Sequence, residues 1–147
     1  MSENEKQKID MILGVDPGLS TTGVAIIKRH QDGWKFIHSA DVRTNSNQEM
    51  PIRLDKIYSL VSSTIADYEP DCVAVESIFF AKNVKSAVQM AHGRGVALLA
   101  AHQSRIPVFE YSPLEIKQSV VGKGRATKDQ VLTMVQLLLN MKKQMSD

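Results

Sequence analysis

Cysteine is nearly absent from the 147-residue chain, and the only one, Cys72, cannot form a disulfide within the chain. It lies in the apolar run Cys72-Val73-Ala74-Val75, where we expect a small buried hydrophobic residue. The sequence also lacks a signal-peptide core and any apolar run long enough to span a bilayer. These absences predict a soluble protein of the reducing cytoplasm that does not engage a membrane.

Two kinds of ligand site are also missing from the sequence. The histidines lack metal-ligand spacing, and we expect surface or capping roles for all four of them: His30, His38, His92 and His102. The run Gly122-Lys123-Gly124 only superficially resembles a nucleotide-binding loop, because it lacks the earlier Gly and the following Ser or Thr of a P-loop. We find no internal repeat and no low-complexity segment.

The balance of residue types predicts one compact domain over residues 1–147, since 43% of the chain is hydrophobic and 23% is charged. The formal net charge of +2 conceals an uneven distribution. Residues 1–81 hold 8 basic and 12 acidic side chains, whereas residues 82–128 hold 8 basic and 2 acidic ones. This asymmetry indicates a metal-dependent enzyme acting on nucleic acid, although a solvated basic surface would give the same count.

Apolar segments and turn signals predict the element order β-β-β-α-β-α-β-α-α. Strands are expected at 12–16, 20–27, 34–42, 72–76 and 107–111, and helices at 51–68, 83–103, 112–121 and from 127 onward. We expect the long second helix to bury an apolar side made of Val84, Ala87, Val88, Ala91, Gly95, Leu98 and Leu99. The order predicts an α/β fold with a mixed sheet and helices packed on it.

Two acidic residues end apolar strands. Asp16 ends the first strand and is followed by Pro17-Gly18, and Glu76 ends the fourth strand. If these strands are adjacent and parallel, both carboxylates point into one crevice, where they would bind a hard divalent cation. Two alternatives remain open at this point: Asp16 caps the Pro-Gly turn, or the two acids face water independently.

Aromatic and basic residues follow the second acid. Phe79 and Phe80 lie in an expected loop, where one ring can stack on a base and the other can pack under the next helix. Lys82 and Lys85 are close enough in the chain to contact phosphates. We therefore predict a nucleic-acid contact beside Glu76.

Five motifs in order resemble RuvC-type Holliday junction resolvases, and the match is collinear from about residue 12 to about residue 139. The motifs are Gly14-Val15-Asp16-Pro17-Gly18, the run from Val75 to Asn83, Ala91-His92-Gly93-Arg94-Gly95-Val96, Val108-Phe109-Glu110-Tyr111 and the run from Lys117 to Gly124. The resemblance implies an RNase H-like fold, a five-stranded mixed sheet with helices on both faces. It also implies a homodimer that resolves four-way DNA junctions in recombination and repair, together with a branch-migration helicase complex.

The same resemblance implies roles for individual residues. Asp16 and Glu76 would be catalytic ligands of Mg²⁺, with Mn²⁺ as a substitute, and Phe79 would be the wedge or stacking residue. Lys117 and Lys128 would contact phosphates near the scissile strand, and Lys123 and Arg125, in the flexible basic loop between them, would also contact DNA. The small residues of the long helix, Gly93, Gly95, Ala97, Ala100 and Ala101, suit either a dimer contact or close packing on the sheet.

The resemblance departs from the family at the end of the chain. The family's last helix supplies two further acids, and this sequence stops at Met145-Ser146-Asp147, where that helix would begin. We therefore expect a nuclease domain that lacks its C-terminal catalytic helix, with Asp147 as a candidate third metal ligand. Two alternatives follow: a dimer that binds junctions without cutting them, and an ATP-binding domain similar to sugar kinases and actin-like ATPases, whose phosphate loop resembles residues 16–23.

Overall fold

The elements follow the predicted order in the computed structural model, which describes residues 7–77 and 83–141. The strands are β1 (Met11–Asp16), β2 (Thr21–His30), β3 (Gly33–Arg43), β4 (Cys72–Glu76) and β5 (Val108–Tyr111). The helices are α1 (Met50–Tyr68), α2 (Val84–Gln103), α3 (Pro113–Val121) and α4 (Lys128–Leu138). The predicted order is confirmed.

The strands form one mixed sheet in the order β3-β2-β1-β4-β5. β1 is antiparallel to β2 and parallel to β4, and β4 is parallel to β5. Val15 of β1 pairs with Val75 of β4, so these two strands end at the same edge of the sheet. This confirms that the first and fourth strands are adjacent and parallel.

The β2–β3 hairpin contains a register shift. Ile27 pairs with Phe36 and Ile26 pairs with His38, so Ile37 is an extra residue in β3. Such a bulge leaves one residue without a partner and changes the local twist. Beyond it the pairing continues regularly to Thr21 and Arg43.

The core lies on one face of the sheet, which α1 and α2 cover. Alternate strand residues point into it, as expected for period-2 side chains. Its buried members are Leu13, Val15, Val24, Ile26, Val73 and Val75 from the sheet, Val61 and Ile65 from α1, and Ala97, Ala100 and Ala101 from α2. Cys72 is buried, as the sequence predicted.

The predicted apolar side of α2 is confirmed for Leu98, which packs against the core, and is wrong for three other large residues. Val84, Val88 and Leu99 are 80%, 50% and 50% exposed, whereas the residues buried in α2 are Gly93, Ala97, Ala100 and Ala101. The four buried small residues thus serve close packing within the chain, because small side chains let a helix approach its neighbours closely, whereas Gly95 is exposed. In the described part of the chain, no helix is long and apolar enough to cross a membrane.

Candidate active site

Asp16 and Glu76 lie next to each other at the carboxyl edge of the sheet. Each residue directly follows one member of the Val15–Val75 pair, so the two carboxylates leave neighbouring parallel strands on the same face. Both line a groove of about 610 Å³ on the sheet face opposite to α1 and α2. The floor of this groove is made of small residues, among them Gly14, Gly23 and Ala74, which leave the two acids accessible.

The turn after Asp16 is held by Thr22 and by α2. The buried Thr22 hydroxyl donates a hydrogen bond to the Gly18 carbonyl (2.5 Å) and accepts one from the Gly18 amide (3.2 Å). Among the described residues, the Asp16 side chain makes no hydrogen bond to this turn, so the structure does not support the alternative that Asp16 caps it.

Gly93 of α2 packs directly on the same turn. A Cβ atom at residue 93 would lie 2.8 Å from the carbonyl carbon and oxygen of Gly18, closer than real Cβ contacts. A glycine is therefore required at this helix position, because the neighbouring atoms are backbone and cannot swing aside. The turn that carries Asp16 is thus fixed between β2 and α2.

The two carboxylates are electrostatically coupled. Burial raises the pKa of the Glu76 carboxyl above its ordinary value, and the neighbouring Asp16 charge raises it further. Lys117 and Lys128 lower the same pKa, though they do not outweigh the first two causes. Keeping the Glu76 carboxylate ionised beside Asp16 therefore costs the folded protein free energy.

The two helices after β5 bring Lys117 and Lys128 to Glu76. α3 begins with a capping box between Ser112 and Glu115, and α4 begins with one between Thr127 and Gln130. Such boxes satisfy backbone amides that the first turn of a helix leaves free, so they fix where each helix starts. Lys117, Lys128 and Glu76 border one cavity of about 360 Å³.

The structure brings only some of the predicted contact residues to the acids. Lys85 is exposed in the first turn of α2, and Lys123 and Arg125 are exposed between α3 and α4; none of the three borders the groove of Asp16 and Glu76. Four predicted residues lie outside the described residues: Phe79, Phe80, Lys82 and Asp147.

Sequence reasoning missed Asp41 and Tyr111, which also line the groove. Asp41 pairs with Gly23, which in turn pairs with Asp16, so Asp41 lies on the same face two strands away. The available signal in the sequence was the alternation of polar Ser39 and Asp41 with apolar Ala40 and Val42. Tyr111 ends β5 beside Glu76.

The donor set at this edge fits a hard divalent cation. Carboxylate oxygens are the ligands that such cations take, and a cation between Asp16 and Glu76 would relieve the repulsion that raises the Glu76 pKa. Within residues 7–77 and 83–141, no group of three or more His, Cys, Asp or Glu is arranged to hold a metal ion. The described residues therefore supply a pair of ligands.

We expect Glu76→Gln to stabilise the metal-free protein at pH 7. Because the Glu76 pKa is raised on folding, the folded state binds a proton more readily than the unfolded chain, and stability falls as pH rises through the window above the ordinary pKa. The gain from Glu76→Gln is therefore present at neutral pH and vanishes below about pH 4, where a carboxyl is protonated in both states. Urea unfolding in EDTA at several pH values measures it.

The control for this measurement is Asp55→Asn, at an exposed position of α1. It is expected to change the free energy of unfolding by less than about 0.5 kcal/mol. An equal stability of Glu76→Gln and wild type at pH 7 would show that Glu76 carries no electrostatic cost in the fold.

A family profile described as "Crossover junction endodeoxyribonuclease RuvC" matches residues 12–147. Two curated relatives with that name are similar to the chain. The one from Halothermothrix orenii is 45% identical over 131 residues, which is 89% of this chain and 79% of the relative. The one from Ralstonia pickettii is 42% identical over 130 residues, which is 88% of this chain and 72% of the relative.

Solved structures give the same result. The chain is similar to "T. thermophilus RuvC in complex with Holliday junction substrate", with a TM-score of 0.86, 28% identity, and coverage of 91% of this chain and 82% of that one. The yeast mitochondrial Holliday junction resolvase Ydc2, at a TM-score of 0.62 and 12% identity, shows the fold alone.

These comparisons confirm the α/β, RNase H-like fold and do not support the ATP-binding alternative. The nucleases of the matched family depend on a divalent metal, which agrees with the carboxylate pair. The chain belongs to the RuvC family of crossover junction endodeoxyribonucleases.

Proposed function

We propose that this protein binds four-way DNA junctions and nicks them at symmetric positions, with Asp16 and Glu76 as the catalytic carboxylates. The observation that carries the proposal is the placement of these carboxylates side by side at the end of two parallel strands, with Lys117 and Lys128 close to Glu76. A solved relative of similar fold is described in complex with a Holliday junction substrate. Recombination and repair are the processes that this activity serves.

Each residue has a distinct part in this proposal. Asp16 and Glu76 would hold Mg²⁺, or Mn²⁺ in its place, and the metal when bound supplies an activated water and stabilises the leaving oxygen. Lys117 and Lys128 orient a backbone phosphate at the groove. Lys85, Lys123 and Arg125 would contact phosphates further away. Lys82 would also contact a phosphate, and Phe79 or Phe80 would stack on a base.

We extend the proposal to a homodimer, because two symmetric nicks require two active sites related by a two-fold axis. The exposed apolar residues of α2 support it: Val84, Val88 and Leu99 follow one another at helical spacing on the side of α2 that faces away from the core. A branch-migration helicase partner and a cytoplasmic location rest on the family resemblance alone.

The test is a cleavage assay on a synthetic four-way junction with one labelled strand, titrated with Mg²⁺ or Mn²⁺. The expected result is paired nicks at symmetric positions, with none on a linear duplex of the same sequence. Absence of paired nicks together with absence of junction binding would refute the proposal.

A second, extended form of the protein tests the remaining alternative, in which the 147-residue chain binds junctions without cutting them. In this extended form, the C-terminal part of the Halothermothrix orenii relative follows residue 141. If only the extended form nicks while both bind, the 147-residue chain is the junction-binding form. If both nick equally, Asp16 and Glu76 suffice with residues already present.

A further inference from the structure

The side chain of Arg43 leaves the sheet on the same face as the two acids. Asp16 pairs with Gly23 and Gly23 pairs with Asp41, and directly paired residues point to the same face. Arg43 lies two residues beyond Asp41 in β3, so it shares that face. The Arg43 guanidinium accordingly lies 3.5 Å from the Asp41 carboxylate.

Arg43 borders a polar cleft between β3 and α1, which we call the β3–α1 cleft. It has a volume of about 720 Å³ and none of its lining residues is apolar or acidic. The lining includes two cations, a hydroxyl and three amides: Arg43, Lys56, Ser20, Asn45, Asn47 and Gln48. Guanidinium, ammonium, hydroxyl and amide groups are the donors that bind phosphate oxygens.

The β3–α1 cleft is anchored to the turn that carries Asp16. The Thr44 amide donates to the Ser20 carbonyl (2.8 Å), and the Thr44 hydroxyl donates to the Leu19 carbonyl (2.6 Å). Arg53, which is 6% exposed, donates from Nε to the Thr44 hydroxyl (2.9 Å). A ligand in the cleft is therefore held at a fixed position relative to Asp16.

The distance between the cleft and the acids suits a nucleic-acid strand. Arg43 lies two strands and two residues from Asp16, which separates their Cα atoms by about 12 Å at about 4.8 Å per strand and 3.3 Å per residue. A duplex strand rises about 3.4 Å per nucleotide along the helix axis and its phosphates lie further apart than this rise, so the separation covers at most about three nucleotides. Lys117 and Lys128 lie on the opposite flank, beside Glu76.

We propose that the β3–α1 cleft binds a backbone phosphate of the DNA strand that crosses Asp16 and Glu76, on the side opposite to Lys117 and Lys128. The inference rests on the proposed function and deepens it, since it adds a second anchoring point for the same strand. The Arg43–Asp41 ion pair does not prevent this, because its side chains are 82% and 56% exposed and such pairs contribute little.

The test compares Arg43→Gln combined with Lys56→Gln against Lys28→Gln combined with Arg105→Gln. The second pair removes the same number of positive charges at exposed positions away from the cleft. Lys28 lies near the end of β2, and Arg105 follows α2. Junction affinity is measured in EDTA at several KCl concentrations. The cleft pair is expected to weaken binding about fivefold to tenfold and to reduce the slope of log K against log[KCl] by about 1, the value for one phosphate contact.

Phosphate-ethylation interference on the same junction gives a readout that a folding defect would not produce. Ethylation at one phosphate, at most about three nucleotides from the position at Asp16 and Glu76, is expected to weaken wild-type binding and not that of the cleft pair. Arg43→Lys, which keeps the charge, is expected to retain most of the salt slope.

Each of the other outcomes overturns the inference. If wild type binds the junction and the cleft pair matches the control pair in affinity, slope and interference pattern, the cleft is not a phosphate site and the proposed function stands. If wild type binds no junction, the proposed function fails and the inference fails with it.

Discussion

Asp16→Asn is expected to reduce junction nicking at least a hundredfold while leaving junction binding in EDTA within about threefold of wild type. The substitution keeps the shape of the side chain and removes one of the paired charges that would hold a divalent cation. Losing one preorganised charge-stabilising group at a reaction centre costs about a hundredfold to a thousandfold in rate. The loss is measured as the single-turnover nicking rate. The measurement uses the 147-residue chain if that chain nicks the junction, and otherwise the extended form.

Asp32→Asn is the matched control for this measurement, because Asp32 is exposed in the β2–β3 turn at the other end of the sheet. It makes the same chemical change and is expected to leave the nicking rate unchanged. Nicking by Asp16→Asn at the wild-type rate would remove Asp16 from the catalytic role, whatever the family resemblance implies.

Gly93→Ala is expected to lower the stability of the fold by about 1 to 3 kcal/mol, the usual cost of overpacking a filled space. The added methyl group would lie 2.8 Å from the Gly18 backbone, so either α2 or the turn after Asp16 must move. At roughly 2 to 4 °C per kcal/mol for a domain of this size, the melting temperature falls measurably. The nicking rate is expected to fall by more than the loss of folded protein accounts for, because small displacements of catalytic groups slow a reaction strongly.

Gly95→Ala is the control in the same helix. A Cβ atom at residue 95 meets no atom within 4 Å, and alanine is preferred to glycine in a helix by about 1 kcal/mol. The two glycines are therefore expected to respond with opposite signs in a thermal melt. Equal responses would show that the close approach of Gly93 to Gly18 does not constrain the protein.

The sequence was sufficient for the element order and for the placement of the two acids. Both acids end short apolar runs, and the length of these runs and the turn residues beside them indicate buried strands. The capping residues Ser112 and Thr127 likewise marked helix starts correctly, because their hydrogen bonds are local. Local patterns therefore carried most of the fold.

The sequence was insufficient where the outcome depends on distant contacts. Hydrophobicity assigned Val84 and Val88 to the buried side of α2, yet the space on that side is narrow and is filled by Gly93 and Ala97 instead. The position of the Gly18 backbone accounts for the glycine at residue 93, and hydrophobicity along the helix does not reveal it. Charge counting along the chain gives no sign of Arg43 either, because Arg43 lies in the acidic half of the chain and shares the face of the two acids only through strand pairing.

The register of β3 changes at its extra residue, Ile37. If the pairing fixed at the turn continued past Phe36 without a bulge, Asp41 would pair with Thr22, and Asp41 and Arg43 would point toward α1. The bulge shifts the register by one residue and so keeps both side chains on the face of the two acids. Deleting Ile37 would remove the bulge and leave Asp41 opposite Gly23, so the register beyond Phe36, rather than the Ile37 side chain, decides which side chains of β3 reach the groove.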